Sequence, residues 1–154
     1  MKGGIEMKAK ECMCNDICFV KSNATVSEVA KLMNDNHVGC IPVCNDQNAV
    51  CGIVTDRDII LRTIACDKDC KTTKVSDIMT CNVCTCNEND DMVKAENIMS
   101  QNQIRRLPVC DQNNKIVGIL TFGDIAQNIE ELGQTQICNV VGDICNNNQN
   151  KNAE

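Results

Sequence analysis

Gly52-Ile53-Val54-Thr55-Asp56-Arg57-Asp58 and Gly118-Ile119-Leu120-Thr121-Phe122-Gly123-Asp124 decide how this chain is read. Each is an apolar strand that runs into a Thr-x-x-Asp helix start. The two lie 66 residues apart. The same shift, without a gap, aligns residues 8–59 on 74–125. It pairs Met13 with Met79, Pro42-Val43-Cys44 with Pro108-Val109-Cys110, and Ile59 with Ile125. An ungapped match of this length makes the chain a tandem repeat, and a repeat governs every later inference.

Each copy reads as strand, helix, strand, strand, helix. The first strands are expected at 17–20 and 83–86. Thr25-Val26-Ser27-Glu28 is a capping box, so a helix is expected over 26–36. Its copy over 92–102 has Asp90 and Asp91 at its positive end. Strands follow at 40–44 and 106–110. Turns of Asn, Asp and Gln types lead to strands at 50–55 and 116–121. Closing helices are expected over 56–65 and 122–132. The organisation is therefore repeat 1 over 7–65, a polar linker over 66–74 and repeat 2 over 75–132. A segment over 133–145 and a disordered tail over 146–154 follow. Within that segment Val141-Gly142-Asp143-Ile144 resembles Val75-Ser76-Asp77-Ile78. A third repeat thus begins and stops, which predicts a short helical turn over 140–145 packed against the rest.

Composition narrows the function classes. Of 154 residues, 43% are hydrophobic, but there are only two Phe and neither Trp nor Tyr. The core must be aliphatic, with Met and Cys. The net charge of -6 and the lack of a basic stripe argue against nucleic acid. No apolar run of membrane-spanning length exists, and the N-terminus lacks an apolar signal region, so a cytoplasmic protein is expected. The 14 cysteines then read as small hydrophobes in a reducing compartment, as Cys40, Cys44, Cys51 and Cys110 in their apolar runs suggest.

With Thr55 as N-cap and Asp58 at the third helical position, the hydroxyl satisfies an orphan N–H and the carboxylate lies on the same edge. The helix start suits a phosphate, and the carboxylate suits two vicinal hydroxyls such as those of ribose. A plain capping box is the competing reading. Nucleophilic catalysis lacks its parts: the only histidine, His37, ends a helix, and its repeat counterpart is Gln103. Asp56 beside Asp58 is a weak pointer to Mg²⁺ accompanying a nucleotide. Cys81-x-x-Cys84, with Cys86, has metal-ligand spacing, but a second such pair is missing. Strand alternation instead points Cys84 and Cys86 to one face, toward the core.

The Ile41-Pro42-Val43 and Leu107-Pro108-Val109 strands with the Gly-h-h-Thr-x-x-Asp starts resemble the cystathionine-beta-synthase (CBS) domain family over about residues 7–132. The resemblance implies an α/β fold of the α+β type. Two β-α-β-β-α repeats would be related by a pseudo-twofold and packed as one stand-alone Bateman module, with clefts between them. It implies AMP, ADP, ATP or S-adenosylmethionine as ligand, no required cofactor, and a flat homodimer. It further implies that Asp58 and Asp124 bind ribose and that Thr55 and Thr121 contact ribose or phosphate. Adenine would be flanked by Ile53, Ile119, Ile17, Cys18, Val83 and Cys84. Arg106, before the Leu-Pro pair, implies a phosphate contact, with Arg57 a second candidate. Cys40 and Gly39 stand where Arg106 and Arg105 do, so unequal sites are expected, the second favouring a phosphorylated ligand. The function implied is non-catalytic sensing, signalled to an effector protein in trans. A cysteine-based metal or redox sensor and a ligand-free dimerisation module are the alternatives.

Overall fold

The computed structural model describes residues 6–128 and 141–142. The chain divides into two compact units: Cys18–Val83, and Met1–Ile17 together with Cys84–Glu154. The boundaries are not those of the repeats. Each repeat gives up its leading segment to the other's unit.

The first unit contains β1 (Val20–Lys21), α2 (Val26–Asn36), β2 (Cys40–Cys44), β3 (Val50–Thr55) and α3 (Asp56–Arg62). The second contains α1 (Ala9–Cys12), β4 (Cys86–Asn87), α4 (Met92–Asn102), β5 (Arg106–Cys110), β6 (Ile116–Thr121) and α5 (Phe122–Gln127). Each unit has one three-stranded sheet, β1-β2-β3 or β4-β5-β6. In each, the first pair is parallel and the second antiparallel.

Local chemistry explains the elements. Thr25 accepts from the Glu28 N–H and Glu28 accepts from the Thr25 N–H, closing the expected box at α2. Asp91 caps α4 by accepting from the Lys94 N–H at 2.7 Å. His37 and Gln103 end these helices in the left-handed region, both at φ 53°. The His37 N–H donates to helix carbonyls, so this histidine terminates a helix. The apolar stripes of α2 (Val26, Val29, Met33) and α4 (Met92, Ala95, Met99) are buried against Ile41, Val43 and Val54, and against Leu107, Val109 and Leu120. Each fully buried aliphatic side chain contributes roughly 1.5–3 kcal/mol before entropy is charged.

The leading segments are sewn on by backbone bonds. In the first unit, Val75 N–H donates to Ala24 O at 2.8 Å, and Ile53 and Thr80 exchange two bonds of 2.9 Å. In the second, Ala9 N–H donates to Asp90 O at 2.9 Å, and Ile119 and Cys14 exchange bonds of 3.1 and 3.0 Å. The glycines that open the repeated stretches make room for this. Gly52 lies against the Met79 side chain, and Gly118 against Met13 and the Cys14 carbonyl.

Several elements differ from expectation. The first strands pair only at Val20–Lys21 and Cys86–Asn87, later than 17–20 and 83–86. Proline is the cause. Ile53 donates away from β2, so its partner Pro42 turns its missing N–H toward β1, and the parallel ladder stops there. Pro108 opposite Ile119 does the same. The helix expected over 56–65 ends at Arg62, and a 3₁₀ turn, Ile64–Cys66, follows. Val75–Asp77 is likewise a 3₁₀ turn. Of the turn expected over 140–145, Val141 and Gly142 are helical. A side chain added at Gly142 would meet nothing. The rest of that turn, the end of the helix expected over 122–132 and the tail lie outside the described residues.

Cys12, Cys40, Cys44, Cys86 and Cys110 are buried, as small hydrophobes would be. Glu96 is the anomaly on α4. It is 2% exposed, and its Oε1 has no hydrogen-bond partner among the described residues. Burial pushes its carboxyl above the usual range.

Gly118→Ala should cost about 1–3 kcal/mol in urea unfolding, because a backbone carbonyl opposes the new methyl. Gly52→Ala should cost less, since only the flexible Met79 must move. For Glu96 the folded state holds its proton more tightly than the unfolded state. Wild-type stability should therefore fall as pH rises above 4.5, the ordinary glutamate value. Glu96→Gln should flatten that slope and raise the melting temperature at neutral pH.

Candidate ligand-binding site

The Thr-x-x-Asp starts fold as the sequence implies. Thr55 and Thr121 are the N-caps of α3 and α5, and Asp58 and Asp124 occupy the third helical position. Asp58 Oδ2 accepts the Thr55 N–H at 3.0 Å, and the Asp58 N–H donates to Thr55 Oγ1 at 3.1 Å. Asp124 Oδ2 accepts from the Thr121 N–H and hydroxyl, each at 2.8 Å. The capping box is real in both copies. It uses one oxygen of each carboxylate, and a carboxylate oxygen accepts more than one hydrogen bond.

The other oxygens differ. Arg62 Nη2 lies 3.4 Å from Asp58 Oδ1, while Arg62 Nη1 donates to Ile78 O at 2.7 Å and to Thr80 Oγ1. The counterpart of Arg62 is Asn128, whose amide donates to the Asp124 carbonyl at 2.8 Å. Asp124 Oδ1 thus takes no partner among the described residues. Sequence reasoning missed Arg62. Its spacing of four from Asp58 on one helix was the available signal.

The residues beside the caps differ more. Arg106 pairs with Thr121 across β5 and β6. Arg105, Arg106, Thr121, Phe122 and Gly123 line a cavity of about 330 Å³. Two guanidinium groups and no carboxylate line it, a composition that suits an anion held by Arg. In the first unit, Cys40 pairs with Thr55. A Cβ built on Gly39 would lie 2.9 Å from Asp56 Oδ2, so a carboxylate overlies the site of the missing arginine. Asp56 Oδ1 accepts the Arg57 N–H at 2.8 Å, and Arg57 is exposed.

The remaining sequence candidates divide between the units. Ile53, Cys18 and Val83 belong with Thr55, Asp58 and Arg57; Ile119, Ile17 and Cys84 belong with Thr121, Asp124 and Arg106. Ile53, Ile119, Ile17, Cys18, Val83 and Cys84 are all half-buried. Cys18 and Cys84 pack against the cores of their units.

The metal alternative rests on Cys81, Cys84 and Cys86. Cys81 is exposed in the first unit, whereas Cys86 is buried in the second. Burial, with help from Asp90 and Cys110, pushes the Cys86 thiol up to about 12. Among the described residues no group of three or more His, Cys, Asp or Glu is placed to hold a metal ion.

Known proteins resemble this chain along most of its length. The CBS domain family matches residues 9–63 and 75–131. The CBS domain-containing protein YhcV of Bacillus subtilis is 44% identical over 119 residues, covering 77% of this chain and 83% of YhcV. A structure of hypoxic response protein I with two coordinated zinc ions has a TM-score of 0.72 at 28% identity. It covers 79% of this chain and 98% of its own. The CBS domain pair of protein MJ0100, in complex with 5′-methylthioadenosine and S-adenosyl-L-methionine, has a TM-score of 0.70 at 26% identity. It covers 82% and 98%. Two matched repeats, two sheets of one topology and two Thr-Asp capped helix starts make this chain a member of the CBS domain family, with its domains in tandem.

Proposed function

We propose that this protein is a non-catalytic regulatory module that binds an adenosine-containing ligand and signals to an effector protein in trans. The observation that carries the reading is the cavity of Arg105, Arg106 and Thr121, next to an Asp124 carboxylate with one oxygen unclaimed. An anion site and a diol acceptor then lie one helical turn apart, as a nucleotide requires. The adenosine compounds bound by the MJ0100 pair support the ligand class.

In this reading Asp124 and Asp58 accept the ribose hydroxyls, and Thr121 and Thr55 contact ribose or phosphate. Ile119, Ile53, Ile17, Cys18, Val83 and Cys84 flank adenine. Arg106 holds phosphate and Arg57 is a secondary cation. The second repeat is the better phosphate site, because Asp56 over Gly39 repels phosphate in the first. AMP, ADP and ATP are favoured there over S-adenosylmethionine. Ligand shifts the population between arrangements of the module, and the effector reads the result in the cytoplasm. Ile60, Leu61 and Ile64 are 54, 49 and 59% exposed on and just beyond α3, and this apolar patch supports a homodimer.

Titration calorimetry against AMP, ADP, ATP, S-adenosylmethionine and adenosine tests the ligand. Asp58→Asn with Asp124→Asn should abolish binding, and unchanged affinity in that double variant removes the assignment. Arg106→Ala should weaken ATP at least about tenfold, the worth of one charged hydrogen bond, and adenosine hardly at all. Equal weakening of both rejects the phosphate role. A wild type that binds no adenosine compound leaves the dimerisation-module reading. For the dimer, Ile60→Glu with Ile64→Glu should halve the mass seen in light scattering.

A further inference from the structure

The turns between the hairpin strands of the two repeats have the same hydrogen bonds but different contents. In the first, Asn48 N–H donates to Asn45 O, and Asn45 Oδ1 accepts from the N–H groups of Gln47 and Ala49. In the second, Asn114 N–H donates to Asp111 O, and Asp111 Oδ1 accepts from the N–H groups of Asn113 and Lys115. Asn48 and Asn114 have φ 62° and 61°. The two sets of acceptors are therefore built alike.

The first set holds a cation. Lys21 Nζ donates to Asn45 O at 2.7 Å, to Asn48 Oδ1 at 2.5 Å and to Asp46 O at 3.4 Å, and lies 6.0 Å from the centre of the Phe19 ring. In the second repeat the counterpart of Lys21 is Asn87. Its side chain is too short to fill the place, and its Oδ1 accepts the Asn89 N–H instead. The counterpart of Phe19 is Thr85, which exchanges a ring for a hydroxyl. A cavity of about 270 Å³ lies here, lined among others by Thr85, Asn87, Asp90, Lys94, Asp111 and Asn114; Lys21 also borders a cavity in the first repeat, but there the turn residues Asn45 and Asn48 do not line it. Two carboxylates there face one ammonium. Lys94 Nζ is engaged by Asp90 Oδ1 at 2.8 Å and makes no hydrogen bond to Asp111, Gln112 or Asn114 among the described residues. Asp111 Oδ2 takes no partner among them.

We propose that this cavity binds a compact monocation, such as ammonium, the head of a primary amine or potassium, in the place that the Lys21 ammonium fills in the other repeat. Asp111 O, Gln112 O and Asn114 Oδ1 are the counterparts of the atoms that hold Lys21, and the Asp111 carboxylate adds charge. Neutral carbonyl and amide oxygens with one unpaired carboxylate suit a monovalent ion. A divalent ion demands more charged ligands. The site lies in the second unit and is independent of the nucleotide reading.

Thermal melting without nucleotide tests it, with ammonium, methylammonium, potassium, magnesium and tetramethylammonium chlorides compared at matched ionic strength. At least one of the first three should raise the melting temperature by about 2–4 °C over tetramethylammonium, which has no N–H to donate and whose methyl groups hold its charge away from the oxygen acceptors. Methylammonium against potassium separates an amine site from an alkali-metal site. Asn87→Lys should supply the ammonium internally, raise the melting temperature without added cation and remove the response. Asn114→Gly keeps the left-handed backbone, removes one acceptor and should weaken the response. No difference among cations in the wild type, a response to magnesium alone, or a full response in Asn114→Gly would overturn the proposal.

Discussion

The hydrogen bonds that join Ile53 to Thr80 and Ile119 to Cys14 are the constraint from which much of the structure follows. They attach each leading segment to the open edge of β3 or β6, where an unpaired strand would otherwise be exposed. The attachment brings Met79 and Met13 against the sheets, so the facing residues must be Gly52 and Gly118. It also turns the N–H groups of Ile53 and Ile119 away from β2 and β5. Their partners there, Pro42 and Pro108, lose nothing on that side and cut short the parallel ladders on the other. The glycine and the proline of each repeat are thus two consequences of one backbone arrangement.

The same repeat chemistry serves different ends in the two halves. Both helix starts carry a Thr-Asp box, which satisfies orphan N–H groups and fixes the carboxylate. In the first unit Arg62 engages that carboxylate and Asp56 overlies Gly39. In the second, arginines stand beside the cap and the carboxylate keeps a vacant oxygen. The far ends of the sheets diverge too, with Lys21 inside one turn and a cavity at the other. The duplicated frames thus carry different side chains at their rims.

Much was legible in advance because the repeat supplied two readings of every element. Capping boxes, hydrophobic stripes and the Pro-Val strands are local signals, and α2, α4, β2, β3, β5 and β6 have the expected bounds. The short strands were misplaced, since their extent depends on which edge of β2 or β5 the proline faces. Arg105, Arg106 and Thr121 were legible as residue types; that they line one cavity depends on the β5–β6 register. The carboxylate of Asp56 over Gly39 left no trace in residue spacing.

By itself the sequence determined the repeat, the bounds of α2, α4 and the four longer strands, the family and the identity of the Thr and Asp groups at the helix starts. Each of these rests on bonds between residues three or four apart or on periodic burial, which a linear pattern records. Only the tertiary structure decided that each leading segment belongs to the other repeat's unit, and that the turn acceptors hold Lys21 in one repeat and line a cavity in the other. These facts join residues 24 to 105 positions apart. Such contacts depend on where side chains meet after folding, and no spacing in the chain encodes that meeting.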